Sequence, residues 1–156
     1  MSDMVSIRSM HMERWLEASH ACAAALLDQQ VTLKEAMNAL RFFFVRKAIA
    51  INGGSIAKAA ASVDSHRNTL CRSMRVRTAR MPAPQRALAE NWATWLAAQG
   101  ASLGEAERIF AAALVKAGRE MCRGNQCKAA ELLGIHRNSV RRIATRVAEL
   151  GSEGRA

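Results

Sequence analysis

Tyrosine is absent from this chain, aromatic residues make up only 4% of it, and proline is confined to Pro82 and Pro84. Runs of β-branched residues are missing too, so little in the sequence favours strands. The longest apolar runs, Ala21–Leu27 and Ile109–Val115, fall far short of the ~20 residues a membrane span requires, so no membrane partner is expected. The opening MSDMVSIRSMHMER has no apolar centre and no cleavage pattern, so no secretory signal is expected. Cys22, Cys71, Cys122 and Cys127 form no C-x-x-C pair, and no histidine pair has zinc-finger spacing. Free thiols in a reducing cytoplasm are the simplest reading, with no metal and no cofactor. His11, His20, His66 and His136 lack motif partners for acid–base or nucleophilic work, so the chain reads as no enzyme. No P-loop or receiver-type acidic cluster is found, and ATP hydrolysis is not expected.

Alanine, leucine, methionine and arginine dominate instead, all good helix formers, and half of the 156 residues are hydrophobic. That composition predicts an all-α fold. The net charge of +10 calls for a polyanionic partner, either nucleic acid or an anionic membrane surface, the bland alternative being a basic surface kept for solubility.

The chain also repeats itself. His66-Arg67-Asn68 recurs as His136-Arg137-Asn138, 70 residues on. The same shift, without a gap, pairs Leu33, Glu35 and Ala36 with Leu103, Glu105 and Ala106, and Gly54 with Gly124. It also pairs Lys58-Ala59-Ala60 with Lys128-Ala129-Ala130, Arg72 with Arg142, and, further upstream, Leu26 with Leu96 and Gln29 with Gln99. One register held over that length argues for duplication. The expected architecture is a tandem repeat of two four-helix units, residues 1–80 and 81–156, joined near Thr78–Gln85, where both prolines lie.

Within each unit a first helix is expected at Glu13–Gln30 and Pro84–Gln99. A second helix follows a capping box, Thr32 with Glu35 and Ser102 with Glu105. Leu33, Ala36, Met37, Leu40, Phe43, Phe44, Ala48 and Ile51 form its apolar stripe in the first unit. The second keeps Leu103, Ala106, Phe110, Ala113, Leu114 and Met121, with Glu107 and Gly118 as departures. These residues, with Trp15, Trp92 and Trp95, read as core.

The segment RGNQCKAAELLGIHRNSVRRIATRV, Arg123–Val147, is the most informative. Asn125 is suited to cap a short helix Gln126–Leu133, and Ala129 and Ala130 are small where two helices cross. Gly134 fits a turn that needs left-handed backbone, and Ile135 plugs it. A second helix from Arg137 to Val147 would bury Val140, Ile143, Ala144 and Val147 and face Arg137, Ser139, Arg141, Arg142 and Arg146 outward. That is the chemistry of a recognition helix, whose arginines reach guanine edges or phosphates. In the first unit Ser55 replaces the asparagine cap and Asp64 the turn glycine. His66, Arg67, Thr69, Arg72 and Arg75 then face outward, with Leu70 and Met74 inward and Cys71 where the second unit has Arg141. No acid lies between Asp64 and Glu90, where Arg77, Arg80 and Arg86 add to the arginines just named, nor between Glu131 and Glu149.

The run Gly124-Asn125-Gln126-x-Lys128-Ala129-Ala130-Glu131-Leu132-Leu133-Gly134-Ile135-x-Arg137-x-Ser139-Val140-Arg141 resembles the Fis-type helix-turn-helix found in the factor for inversion stimulation and at the C-terminus of NtrC-type activators. The first unit resembles a degenerate copy. The resemblance implies that His136, Arg137, Ser139 and Arg142 approach double-stranded DNA, with Arg141 on phosphate, and that His66, Arg67, Thr69 and Arg72 inherit those roles. It also implies two-fold dimers. With two units in one chain, both an intrachain pseudo-dimer, its recognition helices one DNA turn apart, and a homodimer presenting four units stay open.

The function expected is therefore a bacterial DNA-binding regulator or nucleoid-type protein of the cytoplasm. An interaction protein whose first unit contacts a protein partner is the alternative, and RNA a third, weakened by the shortage of stacking aromatics.

Overall fold

The computed structural model describes residues 2–76 and 81–153, with side chains described for residues 10–76 and 81–149. Among them are eight α-helices and no strand: α1 Ser2–Asp28, α2 Leu33–Ile51, α3 Ile56–Ser62, α4 Arg67–Met74, α5 Ala83–Ala98, α6 Leu103–Met121, α7 Gln126–Leu133 and α8 Arg137–Glu153. The proposed linker residues Thr78–Arg80, with Arg77, lie outside the described residues. α5 starts just after Pro82, with Pro84 in its first turn, where a missing N–H costs nothing.

The bounds of α2 and α6 differ by 70 residues at both ends, and α3, α4 and α5 hold the same relation to α7, α8 and the later part of α1. The backbone marks agree. Positive φ among the described residues occurs at Gln30 and Gly100, Gly53 and Arg123, Gly54 and Gly124, and Asp64 and Gly134, four pairs each 70 apart. Asp64 (φ 52) and Gly134 (φ 69) occupy the turns between the short helices and those that follow.

The chain forms two compact units, and neither is a continuous half of the sequence. One comprises the described residues of Met1–Leu33 and Ile109–Ala156, the other Lys34–Arg108. Each draws helices from both sides of the 80/81 boundary.

In the Lys34–Arg108 unit, Leu40, Phe44, Val45, Ala59, Leu70, Trp92 and Leu96 are buried. α3 packs on α4, and the N–H of Leu103, at the start of α6, donates to the Val63 carbonyl at 2.9 Å. The departure Glu107 stands where the repeat has Met37, and it pairs with Arg41 (Nε–Oε1 2.8 Å). Both side chains are about one-third exposed, at 35% and 36%, so the pair contributes no more than ~1 kcal/mol.

In the other unit, α1 buries Met12, Trp15, Ser19, Ala23, Leu26 and Leu27, and Ser19 returns its hydroxyl to the Trp15 carbonyl at 2.6 Å. α1 and α7 both pack on α8. The second departure, Gly118, has a packing reason. A Cβ there would come within 3.3 Å of Leu133 Cδ1. The corresponding positions hold Ala48 and Val63, so a larger residue at one site accompanies a smaller one at the other.

Several expectations need correction. α1 begins at Ser2, well before Glu13, because Met12 and Trp15 continue its buried face toward the N-terminus. Ile51 and Met121 are exposed (56% and 44%) because each is the last residue of its helix, and Trp95 is 37% exposed on a helix whose inner face is filled by Trp92 and Leu96. α8 continues past Val147 to Glu153. Leu132, Ile135, Ile143, Ala144 and Val147 are half-buried, so Val140 alone anchors α8 as a fully buried residue among those described.

Candidate nucleic-acid interface

The α7–α8 segment is held by local bonds at each joint. Asn125 stands in extended backbone (φ −74, ψ 106), and its side-chain oxygen accepts from the N–H groups of Cys127 and Lys128, each at 3.1 Å. That satisfies two of the four donors a helix start leaves unpaired. α7 ends at Gly134 in the left-handed region, and Ile135 N–H closes the turn on the Ala130 carbonyl at 3.0 Å. A side chain at Gly134 would be strained in that conformation and would come within 3.2 Å of Thr32 Cγ2. Ala129 and Leu133 are fully buried under the crossing, as is Val140 of α8.

The α3–α4 segment uses the same joints with weaker parts. Ser55 accepts a single N–H, from Lys58 at 3.2 Å. Asp64 takes the left-handed turn, a conformation a non-glycine residue adopts at some cost, and Ser65 N–H closes on the Ala60 carbonyl at 3.0 Å. Leu70 is buried where α8 has Val140.

The expected site residues sort cleanly by exposure. His136, Arg137, Arg141, Arg142 and Arg146 are exposed on α8 and its leading residue; His66, Arg67, Arg72 and Arg75 are exposed on α4 and its flanks. Ser139 and Thr69 are half-buried, both beside the residue that anchors the helix. Cys71, where α8 has Arg141, is half-buried, so α4 presents fewer cations along its face. The first acidic residue on α8 is Glu149, so its opening three turns carry positive charge alone.

His136 has a structural duty in addition to its exposure. Its Nδ1 accepts from the Asn138 N–H at 3.2 Å, which caps the start of α8 and leaves Nε2–H to donate outward. His66 makes no such cap bond at the start of α4. Asn68 and Asn138, exposed on the first turn of each helix, were not among the expected site residues. Their membership of the repeated His-Arg-Asn tripeptide was the signal that could have found them. Lys58 and Lys128, exposed in the first turns of α3 and α7, carried the same signal.

No group of three or more histidine, cysteine or acidic side chains able to hold a metal occurs among the described residues. The four cysteines are free thiols, and burial pushes the Cys22 thiol above its ordinary range, which makes it less reactive. No described helix is long and apolar enough to cross a membrane.

With this geometry in place, comparison with known proteins is specific to one segment. Residues 120–142 match the family described as bacterial regulatory protein, Fis family. The match runs from the end of α6 through α7 and its turn into α8, so this segment is a Fis-type helix-turn-helix. No curated protein and no solved structure matches the chain.

Proposed function

We propose that the chain is a DNA-binding regulator or nucleoid-type protein without catalytic activity, built as a tandem repeat of two Fis-like helix-turn-helix units that both grip double-stranded DNA. The observation that carries this reading is α8 itself. Arg137, Arg141, Arg142 and Arg146 are all exposed on a helix fixed by a double-bonded cap, a left-handed glycine and a buried Val140. Such a helix presents cations to base edges and phosphates from a rigid base. The match over residues 120–142 supports the same reading. The four positive-φ pairs and the helix bounds 70 residues apart support the repeat. The composition of the two compact units, each drawn from both sequence halves, supports an intrachain pseudo-dimer over two self-sufficient domains.

A second reading, in which the first unit contacts a protein and only the second binds DNA, draws support from α4. It has 8 residues against 17 in α8, and Cys71 in place of an arginine. The test is a salt titration of duplex binding by the intact chain, by R137A/R142A and by R67A/R72A. Losses in both double variants, with a steep fall of affinity as salt rises, support two working units. A loss in R137A/R142A alone favours the second reading. No binding by the intact chain at low salt removes both and leaves RNA or protein partners.

A further inference from the structure

An open groove of about 560 Å³ runs between the last turns of α6 and the middle of α8. Its floor is apolar: Val115 from α6 and Ala144, Val147 and Ala148 from α8. Its rim is basic, with Lys116, Arg119 and Arg123 spaced along one side of the end of α6. Glu120 also lines it, but its carboxylate is engaged by His20 Nε2 at 3.2 Å. Arg119 is half-buried, and its Nε–H is sealed from solvent without an acceptor. A buried guanidinium donor is rarely left unmade, and it marks where an acceptor from outside the chain would be held.

At about 100° per residue, Ala144 and Ala148 lie on the flank of α8 turned away from Arg142 and Arg146. The groove therefore stands apart from the arc proposed to read DNA. The α3–α4 segment has no equivalent among the described residues. Arg119 and Arg123 correspond to Ile49 and Gly53, and α4 ends at Met74, the counterpart of Ala144, so no helical wall continues beyond it. The groove depends on two features particular to one unit: the extended α8 and two arginines added to the end of α6.

We infer that this groove docks an acidic amphipathic segment of a protein partner, with aliphatic side chains on the Val115–Val147 floor and carboxylates on Lys116, Arg119 and Arg123. A second copy of the chain, itself carrying +10, is disfavoured by charge. A phosphate backbone would meet the rim but leave the apolar floor uncovered. The inference does not rest on DNA binding, and because the two surfaces are separate the chain can hold both ligands at once.

The test is fluorescence polarisation of the full chain with a labelled synthetic helix of about 16 residues, leucine at i, i+3, i+4 and i+7 and glutamate between, against a scrambled peptide of the same composition. Saturable binding of the patterned peptide is expected, weakened about tenfold in R119M and in A148E, and unchanged in R137A/R142A. Ala148 is exposed, and methionine retains much of the apolar stem of Arg119, so both variants should fold, which circular dichroism would verify. Equal binding of the scrambled peptide, no saturation, or loss of binding in R137A/R142A would overturn the inference. So would duplex affinity that falls tenfold in R119M and A148E, which would assign the groove to the nucleic-acid backbone instead.

Discussion

α3–α4 and α7–α8 follow the same backbone plan. Each has a polar cap, two small buried alanines, a left-handed turn residue and one fully buried anchor in the first turn of the second helix, yet α4 is 8 residues long and α8 is 17. The difference lies in how each part is made. Asn125 satisfies two N–H groups where Ser55 satisfies one, Gly134 adopts freely the conformation Asp64 is forced into, and His136 caps a helix start that His66 leaves uncapped. A helix-turn-helix thus tolerates loss of its best local residues provided its buried contacts survive: Leu70 and Val63 are as well buried as Val140 and Leu133. Outward chemistry is not protected in that way, and it is the outward positions, with Cys71 the clearest, that have drifted.

The largest effect should come from separating the sequence halves. Because each compact unit draws on both sides of the 80/81 boundary, fragments 1–80 and 81–156 should each lose cooperative thermal unfolding and regain it when mixed. Two independently folding fragments would break the exchange on which the comparison stands. Next comes DNA affinity. R137A/R142A should weaken duplex binding about a hundredfold, ~3 kcal/mol, and R67A/R72A about tenfold, since each well-placed contact contributes ~1–3 kcal/mol and α4 presents fewer of them. Equal losses in the two variants would mean that drift has not touched function.

In the core, Leu133→Ala should cost ~3 kcal/mol and Val63→Ala ~1–2 kcal/mol by denaturant unfolding, because the larger side chain leaves the larger cavity and Gly118 offers no methyl to fill it. Smaller still, Asn125→Ala should cost ~1–2 kcal/mol and Ser55→Ala ~0.5–1 kcal/mol, in step with the bonds each accepts. The turn provides the finest discrimination. Gly134→Ala should destabilise by ~1–2 kcal/mol, and Asp64→Gly should raise the melting temperature by a few degrees, as relief of ~0.5–1 kcal/mol of left-handed strain implies. A lowered melting temperature for Asp64→Gly would show that the aspartate has a compensating role in the turn.

Much of the candidate site was legible in advance because its determinants are local. The cap at Asn125, the bounds of α7, the left-handed turn at Gly134 and the exposure of Arg137, Arg141 and Arg142 all follow from residues within one or two turns of each other. What misled was pattern without context. Ile51 and Met121 fit an apolar stripe but fall at helix ends, where no neighbour covers them. Ile143, Ala144 and Val147 fit the inner face of α8, yet the groove beside α6 leaves them half-open, and no periodicity in α8 alone could reveal the space next to it. Asn68, Asn138, Lys58 and Lys128 were visible in the repeat and were passed over because the arginines were read first.

By itself the sequence determined the helical class, the 70-residue register and the order of parts within each helix-turn-helix, because helix periodicity, capping and turn strain act between residues close along the chain. Only the tertiary structure decided which helices share a core. Two similar halves carry nearly the same apolar faces, so α1 fits the environment of α7–α8 as well as that of α3–α4, and nothing local distinguishes the two. That choice rests on long-range packing: the long α1 lies against the long α8, Thr32 meets the turn at Gly134, Gly118 makes room for Leu133, and Leu103 bonds to Val63.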